Sequence, residues 1–214
     1  MPDAKLRPVV FMDRDGTLNV EAGYIRDLDN LVLIDGAAEA VKRLNAAGIA
    51  AVLITNQSGP ARGYYPESHV LDLNKRLLKL LADDGAHLDA VYYCPHLPDG
   101  VVEEYTMSCS CRKPEIGLVE KAYDEHADFD RERAFVVGDK ATDVELAVNC
   151  KARGILVETG YGTRVQAGEY QWKVNPDYQA RSIVDAIDWI LSSLDISRDT
   201  GDGAQQVAGG SNRP

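Results

Sequence analysis

Two aspartates separated by one residue close the apolar run Val9-Val10-Phe11-Met12, and they are the residues of this chain best placed for chemistry. Alternate residues of an extended segment share a face, so the carboxylates of Asp13 and Asp15 are expected on one side and Arg14 elsewhere. Gly16 follows and permits a turn that brings backbone close to a ligand. Neighbouring carboxylates repel each other, and a magnesium ion or a proton on one of them relieves the repulsion. Such a pair fits a phosphoryl-transfer site.

Further polar groups follow later apolar runs. Thr55-Asn56-Gln57-Ser58-Gly59 comes after Val52-Leu53-Ile54 and offers a hydroxyl, amides and backbone donors for phosphate oxygens. Arg112-Lys113-Pro114 supplies two cations in a segment that the proline is expected to keep extended. Gly138-Asp139-Lys140-Ala141-Thr142-Asp143 comes after Phe135-Val136-Val137, so Asp139 brings a carboxylate to a third strand end. Asp139 and Asp143 also suit the first turn of a helix. Each group alone has a plain reading as turn, cap or solvated face, but four in order at successive strand ends point to one site.

A second cluster is built from sulfur and imidazole. Cys94-x-His96 and Cys109-x-Cys111 flank residues 97–108 and offer three thiolates and one ring nitrogen, a closed tetrahedral set suited to zinc. Arg112 and Lys113 follow the last ligand directly, so the ion is expected to fix a loop whose cations face the Asp13 cleft. Cys150 stands apart and is read as a buried packing residue. His69, His87 and His126 match no ligand spacing and are read as surface residues.

These groups need a scaffold that gathers strand ends at one edge. Short apolar runs alternate with stretches of helical period, as a parallel sheet with crossover helices requires. Strands are expected at 9–12, 50–54, 90–93, 134–137 and 154–157. Asp35 is expected to cap a helix that carries Ala37, Ala40, Val41 and Leu44 inward and stops at Gly48. Pro66 suits a first helical turn, ahead of Val70, Leu73, Leu77 and Leu80. Further helices are expected at 116–126, 141–150 and 180–194. The long connections 19–33 and 94–112 both emerge where ligands of open α/β sheets bind. The expectation is a three-layer, Rossmann-like α/β fold over 1–196, with the zinc loop 94–111 inserted and no separate cap domain. Residues 197–214 are polar and glycine-rich and read as a disordered tail.

Composition narrows the partners. Across 214 residues, 23 Lys and Arg stand against 34 Asp and Glu, a net charge of −11 that disfavours nucleic acid. No apolar run reaches the roughly 18 residues of a membrane span, and no export signal is evident at the N-terminus. A cytoplasmic protein is expected, and the lack of a long heptad or large apolar stripe favours a monomer.

The set Asp13-Arg14-Asp15-Gly16-Thr17, Thr55, Lys113 and Gly138-Asp139 resembles the four motifs of the haloacid dehalogenase superfamily of aspartate-nucleophile phosphatases. Ala61-Arg62-Gly63, Tyr93-Cys94-Pro95-His96 and Cys109 to Pro114 extend the resemblance to its sugar-phosphate members, and histidinol-phosphate phosphatases share many of these signatures. The resemblance implies Asp13 as nucleophile, Asp15 as acid and base, and Thr55 and Lys113 as stabilisers of phosphoryl charge. It implies magnesium held by Asp13, the Asp15 backbone carbonyl and Asp139. It also implies a phosphorylated sugar lined by Glu21, Ala22, Gly23, Tyr24, Thr55, Asn56, Gln57, Ser58, Arg112, Lys113 and Lys140. A catalytically silent zinc-loop interaction module would be expected to lack some of these acids, and a phosphomutase to carry a lid.

Overall fold

The computed structural model describes residues 6–195, so the tail expected beyond Ser197 lies outside the described residues. Six parallel strands form one sheet in the order β3-β2-β1-β4-β5-β6: β1 (Arg7–Met12), β2 (Ala50–Asn56), β3 (Ala90–Cys94), β4 (Phe129–Gly138), β5 (Arg153–Val157) and β6 (Tyr178–Ala180). Between them run α1 (Ala37–Ala46), α2 (Glu67–Asp83), α3 (Gly117–Glu125), α4 (Ala141–Asn149) and α5 (Gly162–Ala167), and α6 (Ile183–Ser193) closes the described chain.

The alternation of β1 divides the core. Val10 and Met12 pack with Leu44, Leu73, Leu77 and Ile187 on one face, whereas Val9 and Phe11 pack with Val119, Ala122 and Leu146 on the other. Both faces of β1 are therefore covered, which is why its sequence reads as a continuous apolar run. The chain leaves β1 for β2 on one side and returns through β4 on the other. The crevice above β1 and β4 is thus the switch point at which open α/β sheets bind ligands.

Several sequence expectations are corrected. Asp35 is exposed and does not cap α1; Gly36, with φ +79°, takes the cap position and the Ile34 carbonyl satisfies the Ala37 N–H. Pro66 occupies the cap of α2 rather than its first turn. The last helix starts at Ile183, after Ser182 accepts from the Asp185 N–H, because Tyr178–Ala180 pairs with β5 as a three-residue edge strand. Neither that strand nor α5 is long enough to leave a periodic signal. Cys150 is half-buried, and it packs against the core formed around Phe11 and Val119. His69 is not a free surface residue: its Nε2 lies 2.9 Å from the Ile25 carbonyl and ties the first long loop to α2. His126 is half-buried and stacks on Phe129, while His87 is exposed.

Candidate active site

The Asp13 N–H bonds the Val137 carbonyl at 3.0 Å, so the sheet ladder itself fixes this residue at the end of β1. Its carboxylate is almost fully buried. Lys113 Nζ lies 2.9 Å from Asp13 Oδ1 and 2.6 Å from Asp143 Oδ1, and donates to the Ile54 carbonyl at 2.9 Å. Burial opposes the Asp13 charge, but Lys113, Lys140 and the Thr55 hydroxyl together hold its carboxyl well below the usual range. Asp13 is therefore ionised, the state a nucleophile requires. Asp143 is pushed up instead, because burial outweighs its pairing with Lys113. It also accepts from the Lys140 N–H at 3.0 Å, so one carboxylate both opens α4 and seats Lys113.

Four oxygens surround the Lys140 ammonium. Asp139 Oδ1 lies at 3.0 Å, Glu21 Oε2 at 3.1 Å, the Asp15 carbonyl at 3.3 Å and Asp13 Oδ2 at 3.6 Å. Convergence of Asp13, Asp139 and the Asp15 carbonyl on one positive charge shows a hard-oxygen set that fits magnesium. Asp139 is fully buried: that burial, reinforced by the charges of Asp13 and Asp143 and opposed by Lys140, pushes its carboxyl up to about 7. Tyr161 N–H donates to its Oδ2 at 2.8 Å. Gly16 and Gly160, at φ +83° and +58°, close against the same carboxylate, and a Cβ on either would overlap it. Here the glycine after Asp15 makes room for a neighbouring acid.

The second acid is held differently from expectation. Arg14 does not point away from Asp15: its long side chain turns back, and Nη2 pairs with Asp15 Oδ2 at 3.0 Å. The Arg112–Pro114 segment is also not extended; it turns, with a cis Lys113–Pro114 peptide and a 2.9 Å bond from the Glu115 N–H to the Arg112 carbonyl. Asn56 imposes this shape, because its side chain accepts from the Lys113 N–H at 2.9 Å and donates to the Lys113 carbonyl at 3.1 Å. The two cations consequently diverge. Lys113 enters the core beside Asp13, while Arg112 Nη1 donates to the His96 carbonyl at 2.9 Å.

Above these groups opens a cleft of about 580 Å³. Of the residues expected there, Asp13, Asp15, Glu21, Gly23, Tyr24, Asn56, Gln57, Ser58, Arg112, Lys113 and Lys140 line it. Thr55 and Asp139 lie buried outside the lining, and Ala22 is exposed outside it. Sequence reasoning quoted Arg62 within a family signature without placing it in the site, and it missed the wall formed by Tyr161, Tyr170, Gln171 and Trp172. Tyr161 and Tyr170 stack with centroids 4.1 Å apart, and Gln171 Oε1 accepts from the Ala141 N–H at 2.8 Å, fastening that wall to α4. Aromatic residues just after β5 were the available signal, since β5 neighbours β4.

The cysteine loop gathers its four donors as the spacing implied. Cys94, His96, Cys109 and Cys111 present ligand atoms within 4.8 Å of one another, with sulfur separations of 3.1 to 3.5 Å. Three thiols and an imidazole at that spacing fit one tetrahedral ion. Burial, with the adjacent Cys111 thiol, pushes the Cys94 thiol up, an effect a bound cation would reverse by taking thiolates. Other ties hold the loop as well. Val101 and Val102 N–H groups bond the Ala61 carbonyl, and Tyr93 and Tyr105 both donate to Glu67 at the start of α2.

An ionised, cation-backed aspartate at the switch point of a parallel sheet, beside a hard-oxygen metal set, defines a phosphatase of the aspartate-nucleophile class. A family model described as HAD-hydrolase-like matches residues 110–186. The chain is 52% identical over 192 residues to a D-glycero-D-manno-heptose-1,7-bisphosphate 7-phosphatase of Thermosynechococcus vestitus, covering 88% of this chain and 97% of that protein. It is 39% identical to the D-glycero-beta-D-manno-heptose-1,7-bisphosphate 7-phosphatase of Escherichia coli K12, with 89% and 92% covered. The solved D,D-heptose 1,7-bisphosphate phosphatase of B. bronchiseptica, complexed with magnesium and phosphate, superposes with a TM-score of 0.76 at 27% identity over 87% of this chain and 99% of that one. The chain belongs to the haloacid dehalogenase-like hydrolases, in the family of the heptose-1,7-bisphosphate 7-phosphatases.

Proposed function

We propose that this chain hydrolyses the C7 phosphate of D-glycero-D-manno-heptose 1,7-bisphosphate through an aspartyl-phosphate intermediate. The observation that carries the reading is the ionised Asp13 held between Lys113 and Lys140 at the floor of an open, cation-lined cleft. Asp13 attacks phosphorus while the sugar oxygen departs with a proton from Asp15. Water then attacks the aspartyl phosphate, and Asp15 takes its proton. Lys113 and Thr55 stabilise the charge that spreads over the phosphoryl oxygens. Asp13, Asp139 and the Asp15 carbonyl would hold magnesium, which would supply charge neutralisation and orient the phosphoryl group. Arg112 at the cleft margin suits the second phosphate of a bisphosphate, and Lys140 and Glu21 suit sugar hydroxyls. The protein acts as a monomer in this reading.

The test is magnesium-dependent phosphate release from the heptose bisphosphate and from histidinol phosphate in parallel, with the product identified by NMR. Heptose 1-phosphate as product, with histidinol phosphate turned over poorly, is the expected result. The reverse preference would replace the substrate and leave the chemistry standing.

Asp139 makes metal binding pH-dependent. Its folded pKa, up to about 7, lies above its ordinary value, so the folded metal-free protein holds a proton there that the unfolded chain releases. This group's contribution to stability therefore falls as pH rises from about 4 to 7. Magnesium must displace that proton, so its affinity should weaken about tenfold per pH unit below 7 and level off above it. Calorimetric titration with magnesium from pH 5.5 to 8.5 checks this; a flat profile would contradict it.

Zinc is the ion proposed for the cysteine loop, where it leaves no open coordination position and takes no part in chemistry. Stripping it should loosen residues 94–97 and 108–113, while the tip stays anchored through Ala61 and Glu67. Turnover should fall on the order of 10²-fold through misplacement of Lys113 and Arg112. Hydrogen exchange of the zinc-depleted protein, resolved by segment, is the measurement; unchanged protection at 108–113 with full turnover would refute the role.

A further inference from the structure

A buried asparagine interrupts the apolar stripe of α2. Asn74 is 5% exposed and lies between Val70, Leu73 and Leu77, where a polar amide is costly unless it is bonded. Its Nδ2 has no partner among the described residues, whereas its Oδ1 accepts from Arg14 Nη1 at 3.1 Å. One contact therefore explains its presence. Arg14 itself is only 2% exposed, and its Nη2 donates to Gln57 Oε1 at 2.8 Å. Two neutral acceptors thus fix the guanidinium, and neither neutralises it.

The fixed guanidinium faces Asp15. Nη2 reaches Asp15 Oδ2 at 3.0 Å, and Nη2 and Nε both reach Oδ1 at 3.3 Å. Gln57 Nε2 donates to Oδ2 at 2.8 Å, and Asn19 Nδ2 to Oδ1 at 3.0 Å. A carboxylate oxygen has two lone pairs, so Oδ2 is filled by its two short donors. Oδ1 takes Asn19 at 3.0 Å and the two longer contacts from Arg14 at 3.3 Å, so the carboxylate cannot turn without breaking several bonds at once.

We propose that Arg14, held by Asn74 and Gln57, is a positioning residue that locks the Asp15 carboxylate in one orientation for proton exchange with the leaving group and with water. The proposal rests on Asp15 acting as acid and base. In the first step the Asp13–phosphorus bond forms, the phosphorus–sugar oxygen bond breaks, and the proton passes from Asp15 to that oxygen. In the second, water oxygen bonds phosphorus, the Asp13 bond breaks, and Asp15 recovers a proton from the water. A misaligned Asp15 carboxyl hurts the first step only when the departing oxygen needs a proton. Sugar alkoxides need one; p-nitrophenolate leaves as a stabilised anion.

The test compares kcat/KM on an alkyl phosphate, such as the sugar bisphosphate, with kcat/KM on p-nitrophenyl phosphate. This quantity covers steps only up to the first bond cleavage. Arg14→Lys should lose on the order of 10²-fold on the alkyl phosphate, with a loss at least about tenfold smaller on the aryl phosphate. Asn74→Leu, outside the cleft and four or more bonds removed from Asp15, should show the same selectivity at roughly tenfold. Asn74→Asp keeps the acceptor but adds a buried carboxylate that pairs with the guanidinium; because it still holds Arg14 in place, it should recover most of the alkyl-phosphate activity that Asn74→Leu loses. Asp15→Asn is the control. If it lowers both substrates equally, the acid–base reading itself falls. If it discriminates between them while Arg14→Lys and Asn74→Leu lose equally on both or lose nothing, the positioning role alone is overturned.

Discussion

Replacing Asp13 with asparagine is expected to lower phosphate release by more than about 10⁴-fold, the scale on which enzymes lose activity when a nucleophile is removed. The fold should survive the change. Asparagine matches the size of aspartate, and Lys113 keeps its 2.6 Å pairing with Asp143. A far-UV circular-dichroism spectrum matching that of the parent at the assay temperature should therefore accompany near-complete inactivity. Rapid quench of the parent with labelled substrate should capture phosphate on the peptide containing Asp13, and the variant should capture none. Label recovered on a different residue, or substantial activity in the variant, would remove the basis for the mechanism above.

Lys113→Met is expected to act on activity and stability together. Loss of a buried donor aimed at a charged transition state costs on the order of 10² to 10³ in rate. Here the same substitution strips two buried carboxylates of their common cation. Breaking a buried pair of this type destabilises by about 3 to 5 kcal/mol, which in a domain of this size lowers the melting temperature by roughly 6 to 20 °C. The deficit should depend on pH, and the sign follows from Asp13. In the parent its folded pKa lies below the unfolded value, so its contribution is present above about pH 4 and is lost only in stronger acid. Without Lys113, Asp13 and Asp143 bind protons more readily, and the gap between variant and parent should narrow from pH 8 to pH 5. Parallel melts across that range, with turnover measured beside them, would expose a constant gap if this account is wrong.

What the sequence made legible was local. Asp13, Asp15, Thr55 and Asp139 sit at or just past the ends of strands whose apolar character is continuous, so both their element and their edge of the sheet could be read. Cys94, His96, Cys109 and Cys111 were legible because ligand type and spacing are local too. The rest depends on contacts between residues far apart in the chain. Arg14 lies next to Asp15, but its return is set by Asn74, 60 residues away. The turn at Lys113 comes from Asn56, 57 residues earlier, against an expectation drawn from Pro114 alone. The aromatic wall around Tyr170 follows α5, a six-residue helix with too little sequence to announce itself. Asp143 carries two duties that look the same in sequence, helix opening and pairing with Lys113, and only packing separates them.

The two glycines pressed against Asp139 set a limit on how this protein can vary. They lie far apart in the chain, Gly16 after the first strand and Gly160 after the fifth, yet both press on one carboxylate, and a Cβ on Gly160 would also meet the Gly16 backbone. Shortening Asp139 would make room for both, but only by removing an acid the site needs. In a library of random point variants selected for growth that depends on making the product, positions 16 and 160 should be almost blank, alanine included, while the exposed face of α2 tolerates nearly every residue type.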